Sequence, residues 1–204
     1  MRRIEVIVRK TKESATLFLG FALTLFVALG SGWASDAEDE QTLLADFKKG
    51  SHVALMRHAL APGIGDPENF RLDDCSTQRN LSQTGRDQAV KIGARLKEAG
   101  IGSADVFTSQ WCRCLETAEL LGLGPPTPLP ALNSFFRNYE RQGAQTEALS
   151  SWLENQPLEK PLILVTHQVN ITAFSGIFPD SGEIVVMRRN GDGQFGVVGS
   201  ILTN

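Results

Sequence analysis

The sequence feature that most constrains the fold is a short apolar run, residues 53–56, that ends directly in Arg57 and His58. A continuous apolar run of this length is typical of a strand buried in a parallel sheet, and open α/β sheets bind ligands just beyond the carboxyl ends of their strands. Arg57 and His58 are therefore predicted to lie at a ligand-binding edge. An isolated Arg-His pair is more often structural, with both side chains bonded to main-chain carbonyls. Other segments of the sequence are therefore needed to distinguish a structural role from a ligand-binding role.

Two later segments repeat this pattern of a strand followed by a functional side chain. Residues 105–108 form a predicted short strand, and Arg113 follows at the junction with a helix. Residues 161–166 are the strongest buried-strand signal in the chain, and they end in His167. If these strands share one sheet, their side chains are expected to gather with Arg57 and His58 at one edge.

Strands alternating with helices predict an α/β fold, a three-layer α/β/α sandwich around a mainly parallel but mixed sheet. The antiparallel part is expected from a hairpin of residues 183–189 with 194–202. Residues 125–130 are expected to break the chain, and 131–136 to hold a short strand. Helices are predicted over 36–49, from Ser82 or Thr84 to Gly100, after Arg113, over 145–155 and from Val169.

The first 34 residues have the order of a secretory signal. Basic residues come first, the apolar stretch Leu17–Leu29 follows, and Gly32-Trp33-Ala34 supplies small residues at a cleavage site. This stretch of 13 residues, interrupted only by Gly20 and Thr24, is short for a membrane span, which needs about 20. We expect cleavage after Ala34 and one exported periplasmic or secreted domain over residues 35–204, with an uncleaved membrane anchor as the alternative.

Charge and cysteine spacing exclude some functions. Residues 1–34 contain five Lys/Arg and two Asp/Glu out of 20 and 23 in the chain, so residues 35–204 carry a net charge of −6. An acidic domain is a poor general binder of nucleic acid, and any phosphate must be bound locally. Cys112 and Cys114 lack the spacing of a zinc site, whereas an exported domain can keep a disulfide.

The four gathered side chains suit phosphoryl chemistry. Two guanidiniums bind phosphoryl oxygens in pairs and stay charged as the transition state spreads charge over them. A neutral imidazole can attack phosphorus and form a phosphohistidine, which divides one difficult transfer into two easier ones.

Four segments, in this order, resemble the histidine phosphatase (phosphoglycerate mutase-like) superfamily, and they cover most of residues 52–170. They are Leu55-Met56-Arg57-His58-Ala59, residues 79–89, Ser109 to Arg113 followed by Thr117-Ala118, and Val165-Thr166-His167. The resemblance implies that His58 is the phosphorylated nucleophile, that Arg57 and Arg113 bind the phosphoryl group, and that His167 stabilises it. It also implies that no metal or other cofactor takes part.

The chain departs from this family at two points. Ala59 replaces the usual glycine, so a Cβ could crowd the phosphate. Gln168 follows His167 where many members place the carboxylate that acts as general acid. The remaining candidates for this acid are Glu183, which heads a strand, and then Glu140, although either is more often an ordinary surface carboxylate.

The resemblance also places the segments of Cys75 and Cys112 beside the same pocket. We therefore predict a disulfide between them, with Cys114 as the alternative partner of Cys75.

Together these observations predict an exported phosphomonoester phosphatase acting on a small phosphorylated substrate, with phosphosugars and cell-envelope phosphates as the classes considered. The alternatives are a phosphohistidine-protein phosphatase, a mutase and a non-catalytic phosphate- or phosphosugar-binding module. The sequence predicts no oligomeric state.

Overall fold

The structure, a computed structural model, describes residues 32–203. The predicted signal segment, residues 1–34 with cleavage after Ala34, lies outside the described residues except for 32–34, which begin the first helix. Within residues 32–203 no helix has both the length and the apolar character needed to cross a membrane.

Residues 32–203 form five α-helices and six strands. The helices are α1 Gly32–Lys48, α2 Gln83–Glu98, α3 Cys112–Leu121, α4 Gln142–Glu154 and α5 Gln168–Ser175. The strands are β1 His52–Arg57, β2 Asp105–Thr108, β3 Pro126–Pro128, β4 Leu162–Thr166, β5 Ile184–Arg189 and β6 Phe195–Ile201.

The strands form one mixed sheet in the order β3-β2-β4-β1-β5-β6. The pairs β1–β4, β2–β4 and β2–β3 are parallel, and the hairpin side, β1–β5 and β5–β6, is antiparallel. The predicted α/β fold with a mainly parallel mixed sheet is confirmed. In β1 and β4 the last paired residues are Arg57 and Thr166, so His58 and His167 leave the sheet side by side.

Alternate residues of β1 face the two outer layers. Ala54 and Met56 belong to one apolar cluster with side chains of α1, α2 and α3. Val53 and Leu55 belong to a second cluster with side chains of α4 and α5. Because both faces are buried, the strand needs apolar residues at every position, which explains the unbroken run in the sequence.

The prediction of a short strand within residues 131–136 is wrong. The structure places it at Pro126–Pro128, within the segment expected to break the chain, and residues 130–132 form a 3₁₀ turn. β3 lies at the sheet edge and pairs only with β2, which is where a strand can contain prolines that lack an N–H group.

Helix α2 begins at Ser82, whose Oγ accepts the Gly85 N–H at 3.1 Å. The first turn of this helix lies against the segment that follows the candidate nucleophile. Ser82 N–H donates to the Leu60 carbonyl at 3.1 Å, and a Cβ on Gly85 would overlap that same carbonyl. A glycine at position 85 therefore allows the helix and residues 58–61 to approach closely.

Candidate active site

His58 lies just beyond β1 and is buried. Its Nδ1 lies 2.7 Å from the Ala59 carbonyl, which can only accept, so Nδ1 carries the proton. Its Nε2 accepts the Nε–H of Arg113 at 3.2 Å. Burial, and then the charge of Arg113, hold the pKa of His58 well below its usual value. The imidazole is therefore neutral, with the lone pair of Nε2 facing a guanidinium.

Arg113 lies in the first turn of α3 and is almost fully buried. Its Nη1 and Nη2 donate to the two carboxylate oxygens of Asp66 at 2.7 and 3.2 Å, a two-pronged ion pair. Burial alone would raise the pKa of Asp66, but the hydrogen bond and charge of Arg113 outweigh it and lower the pKa. Asp66 is thus an anion that fixes the plane of the guanidinium.

His167 follows β4 and connects the Arg113 guanidinium to a second pair of polar side chains, Ser109 and Asn133. Its Nδ1 lies 3.4 Å from Arg113 Nη2, which can only donate, so the proton of the neutral ring is on Nε2. Nε2 donates to Ser109 Oγ at 2.8 Å, and Ser109 donates to Asn133 Oδ1 at 3.3 Å. Burial lowers the pKa of His167 well below its usual value. The His167 and His58 rings are 5.5 Å apart, centre to centre.

Two further arginines complete the inner group. Arg57 Nη1 donates to the Pro179 carbonyl at 2.9 Å, while its Nε is buried without a hydrogen-bond partner among the described residues. Arg79 Nε donates to the Gly65 carbonyl at 2.8 Å. Burial, and then the charge of Arg113, lower the pKa of Arg79 to about 10, so it remains a cation at neutral pH.

Ala59, the first departure from the family pattern, points away from this group. Its side chain is fully buried in a small apolar cluster with Leu81 and Ala89 of the α2 region. Its N–H donates to Thr117 Oγ1 at 3.1 Å, which ties the segment after β1 to α3. The Cβ therefore packs on the core and does not crowd the candidate phosphate site.

Six side chains make up the inner group and line one cavity of about 640 Å³: Arg57, His58, Asp66, Arg79, Arg113 and His167. Ser109 and Asn133, which bond to this group, do not line the cavity. The predicted residues Arg57, His58, Arg113 and His167 come together there. The walls and the mouth are formed mainly by aromatic, apolar and further charged residues: Ile64, Glu68, Phe70, Trp111, Phe136, Arg137, Arg141 and Phe178.

The two predicted general acids do not line this cavity. Glu183 is buried, and its carboxylate accepts the Asp180 N–H at 2.7 Å while its main-chain carbonyl accepts the Arg57 N–H at 3.1 Å. Glu140 is exposed in the 3₁₀ turn Tyr139–Arg141. Of the carboxylates in the described part of the chain, Asp66 and Glu68 are those that line the cavity.

Cys75 and Cys112 form a disulfide that agrees with the predicted pairing. It connects the loop that contains Asp66 and Arg79 to the first residue of α3, next to Arg113. Cys114 is free and buried, with Sγ 3.4 Å from His167 Nε2. Burial raises the pKa of the Cys114 thiol to about 12, so it stays protonated.

The sequence indicates no role for Asp66, and Arg79 lies in a family motif to which the resemblance attaches no function for this residue. Asp66 lies in a Gly-, Pro- and Asp-rich loop without periodicity, so no pattern distinguishes it from Asp73 or Asp74 nearby. For Arg79 a signal was present, since it precedes Asn80-Leu81-Ser82 at the start of a helix that packs on the site.

The family comparison is consistent with this geometry. Residues 53–140 match the model of the histidine phosphatase superfamily, branch 1. A mitochondrial serine/threonine-protein phosphatase, Pgam5 of Drosophila grimshawi, is 34% identical over 74 residues. That alignment covers 36% of this chain and 23% of the relative, so the match extends over about a quarter of the relative's length.

Solved structures share the fold. A putative phosphohistidine phosphatase SixA from Agrobacterium tumefaciens superposes with a TM-score of 0.51 and 17% identity, over 75% of this chain and 98% of that one. A phosphoserine phosphatase from Entamoeba histolytica, in complex with 3-phosphoglyceric acid, gives a TM-score of 0.52 and 13% identity, over 75% and 98%. At identities of 17% and 13% these superpositions establish a shared fold alone.

Proposed function

We propose that this chain, whose residues 53–140 match the histidine phosphatase superfamily, is a member of that family and hydrolyses phosphomonoesters through a phosphohistidine formed on His58. The observation that carries the proposal is a buried neutral imidazole whose Nε2 lone pair faces the guanidinium of Arg113. Arg57 lines the same cavity and has a buried Nε–H without a partner among the described residues. A buried donor without a partner costs about 1–3 kcal/mol, and a phosphoryl oxygen would satisfy it.

The first transfer follows from the hydrogen bonds. A bound phosphoryl oxygen takes over the Nε–H of Arg113 that His58 Nε2 now accepts, which frees the lone pair to attack phosphorus. The N–P bond forms as the bond to the leaving oxygen breaks. The ring becomes cationic, and the Ala59 carbonyl that accepts Nδ1–H stabilises this charge. Water then attacks phosphorus, breaks the N–P bond and restores His58.

Charge that develops on the phosphoryl oxygens is stabilised by Arg57, Arg79 and Arg113. His167 can donate a proton to the same oxygens after its ring turns from Ser109. Fixed donors of this kind in a largely buried site stabilise a transition state with little reorganisation.

For the leaving group, we propose Glu183 as the proton donor, ahead of Glu140. Its neighbour Gly182 donates its N–H to the carbonyls of both Arg57 and His58, at 3.2 Å each. This bond holds residue 183 next to the segment that contains the nucleophile. Glu183 would have to release the Asp180 N–H to reach a leaving oxygen.

A second candidate function is a phosphohistidine-protein phosphatase. One observation favours it: neither Glu183 nor Glu140 lines the cavity. An imidazole leaving group makes less demand on a general acid than an alkoxide does.

We also propose that the domain over residues 35–204 works after export, in the periplasm or outside the cell, on phosphosugars or phosphorylated envelope components. The Cys75–Cys112 disulfide supports this location, since such bonds persist mainly in oxidising compartments.

Rapid alkaline denaturation during turnover of ³²P-labelled 4-nitrophenyl phosphate tests the mechanism. We expect label that is labile in acid and stable in alkali on the peptide that contains His58, and His58→Ala should abolish both label and turnover. His52→Asn is the matched control, because His52 lies at the other end of β1, outside the cavity. Label on another residue, or near-normal turnover by a folded His58→Ala variant, would contradict the mechanism.

A further inference from the structure

Two exposed apolar side chains lie at the cavity that contains the inner group. Ile64 and Phe178 line this cavity, and they are 84% and 71% exposed. These are the highest exposed fractions among the large apolar residues that the structure describes. Single exposed apolar residues are ordinary on a protein surface, but two at the mouth of one cavity indicate a surface that binds an apolar group.

The backbone around Ile64 is fixed to the inner group. The carbonyl of the next residue, Gly65, accepts the Arg79 Nε–H at 2.8 Å. Gly63 and Gly65 have φ values of +94° and +70°, conformations that glycine adopts readily, so the chain turns on both sides of Ile64. Ile64 is therefore held close to an inner guanidinium while its side chain stays exposed.

Phe178 is fixed to the inner group in the same way, from a different loop. It follows helix α5, and the carbonyl of the next residue, Pro179, accepts a hydrogen bond from Arg57 Nη1 at 2.9 Å. Pro179 itself is buried. Ile64 and Phe178 thus each directly precede a residue whose carbonyl binds an inner guanidinium, which places both side chains beside the groups that would hold the phosphoryl oxygens.

The geometry of phosphoryl transfer directs the leaving group to these side chains. In an in-line displacement the leaving oxygen lies opposite the attacking atom, which is here His58 Nε2. His58 is only 2% exposed, so attack comes from the buried end of the cavity. The leaving oxygen, and the group that it carries, therefore point towards the open mouth, where Ile64 and Phe178 are exposed.

Part of the cavity wall is apolar as well. Phe70 and Trp111 both line the cavity, and their stacked rings are 5.1 Å apart, centre to centre. The cavity volume of about 640 Å³ lies in the range of small-molecule sites, about 300–1,000 Å³, and exceeds what a phosphate alone needs. The charged residues of the mouth, Glu68, Arg137 and Arg141, are exposed, so they can stay hydrated while an apolar chain contacts the wall.

We propose that Ile64 and Phe178 bind an aliphatic leaving group of the substrate. The preferred substrates are then phosphomonoesters of long-chain alcohols, which are amphiphilic, ahead of the more polar phosphosugars. This inference rests on the proposed phosphatase function.

Alkyl phosphates of increasing chain length isolate this contact. We compare the n-alkyl phosphates from ethyl to octyl, below their micelle-forming concentrations, with the full protein chain as the enzyme. The alcohols of this series are similarly acidic, so chain length changes the apolar contact and leaves the chemical step nearly unaltered. Burial of one methylene group is worth up to about fourfold in affinity, so kcat/KM should rise by about 10-fold or more from ethyl to octyl. Glucose 6-phosphate should be a poorer substrate than octyl phosphate.

Substitutions at the two positions assign the effect. Ile64→Ser and Phe178→Ser should each lower the octyl-to-ethyl ratio of kcat/KM severalfold, whereas Phe178→Leu, which keeps an apolar side chain, should retain most of it. Val90→Ser is the matched control, because Val90 is an exposed apolar residue of α2 that does not line the cavity, and it should keep the ratio. Far-UV circular dichroism checks that each variant is folded, and two positions on separate loops protect the test against one variant that is not.

Three results would overturn the inference: an octyl-to-ethyl ratio near one in the native chain, a ratio that survives both serine substitutions, or a higher kcat/KM for glucose 6-phosphate than for octyl phosphate. In each case, turnover of ethyl phosphate or glucose 6-phosphate would still uphold the phosphatase. No turnover of any of these phosphates would contradict both proposals.

Discussion

The inner group and the mouth of the cavity are built in opposite ways. Inner side chains are largely buried and bond to one another. Four of them, Arg57, His58, Arg113 and His167, start from strand ends and the first turn of α3, which are fixed by the sheet, while Asp66 and Arg79 lie on the loop that the disulfide joins to α3. The mouth consists of exposed residues on loops, and its arginines lack carboxylate partners in the described part of the chain. The inner group is thus suited to one reaction, while the mouth can change with the substrate and leave the reaction unaltered.

The largest effect expected from a residue outside the cavity lining concerns Glu183. If it donates the proton, Glu183→Gln slows hydrolysis of alkyl phosphates by about 10²–10⁴ and spares aryl phosphates, whose leaving groups need little protonation. Steady-state kinetics on matched alkyl and aryl substrates measure this difference, with Glu140→Gln as the control. Equal losses on both substrates would assign Glu183 to holding the Asp180–Glu183 turn, and the phosphohistidine-protein alternative would gain.

The next prediction tests whether the inner group acts mainly on the transition state. Arg57→Ala, Arg113→Ala and His167→Ala should each lower kcat by about 10²–10³, because each removes a donor to charge that develops during transfer. Substitutions at the mouth should instead change selectivity among substrates. An effect of the inner variants on KM alone would remove the distinction between the two regions.

The third prediction concerns the link between the long loop and α3. Replacing Cys75 and Cys112 together by serine should lower the free energy of unfolding by about 3–4 kcal/mol, because the bond closes a loop across 37 positions of sequence. Urea titration measures the change. Reductant should destabilise the native chain to a similar extent and leave the double variant unaffected. Peptide mapping that finds three free thiols in protein purified without reductant would refute the pairing.

The last prediction concerns the dependence of stability on pH. His58 and His167 have lowered pKa values in the folded chain because they are buried, whereas in the unfolded chain they take up protons below about pH 6.5. The free energy of unfolding should therefore fall as the pH drops below 6.5, by up to about 1.4 kcal/mol per pH unit for each histidine. Above pH 6.5 this contribution vanishes.

Urea titrations at pH 7, 6 and 5 measure this slope. His58→Gln and His167→Gln should each flatten it, because glutamine does not titrate. Asp66 has a lowered pKa and loses its stabilising charge only at still lower pH, so it does not mask the comparison. An unchanged slope in both variants would show that the histidines are not held neutral.

The sequence predicts four members of the inner group, Arg57, His58, Arg113 and His167, because the apolar pattern of buried strands determines where each of them lies. An apolar run at β1 and another at β4 require two buried strands, and their parallel register brings His58 beside His167. Asp66 could not be predicted, since its position depends on Arg113 and on a loop closed by a disulfide. Arg137, at the cavity mouth, could not be predicted either, because no local sequence pattern indicates its positive φ of 68°.

The edge strand β3 is a second element that the local sequence does not predict. Pro126 and Pro128 are unfavourable in strands generally, and only the position at the end of the sheet makes them acceptable. That position is a property of the assembled sheet and has no counterpart in the local sequence.

The hydrogen bond from His58 Nδ1 to the Ala59 carbonyl also determines which substitutions position 59 can accept during evolution. A main-chain carbonyl does not titrate in the physiological range, so the orientation of the ring is independent of acidity for as long as the imidazole is neutral. No single amino-acid replacement can delete this acceptor, because every residue has a carbonyl. Position 59 is therefore free to drift between small side chains, and its constraint comes from the core on which its methyl group packs.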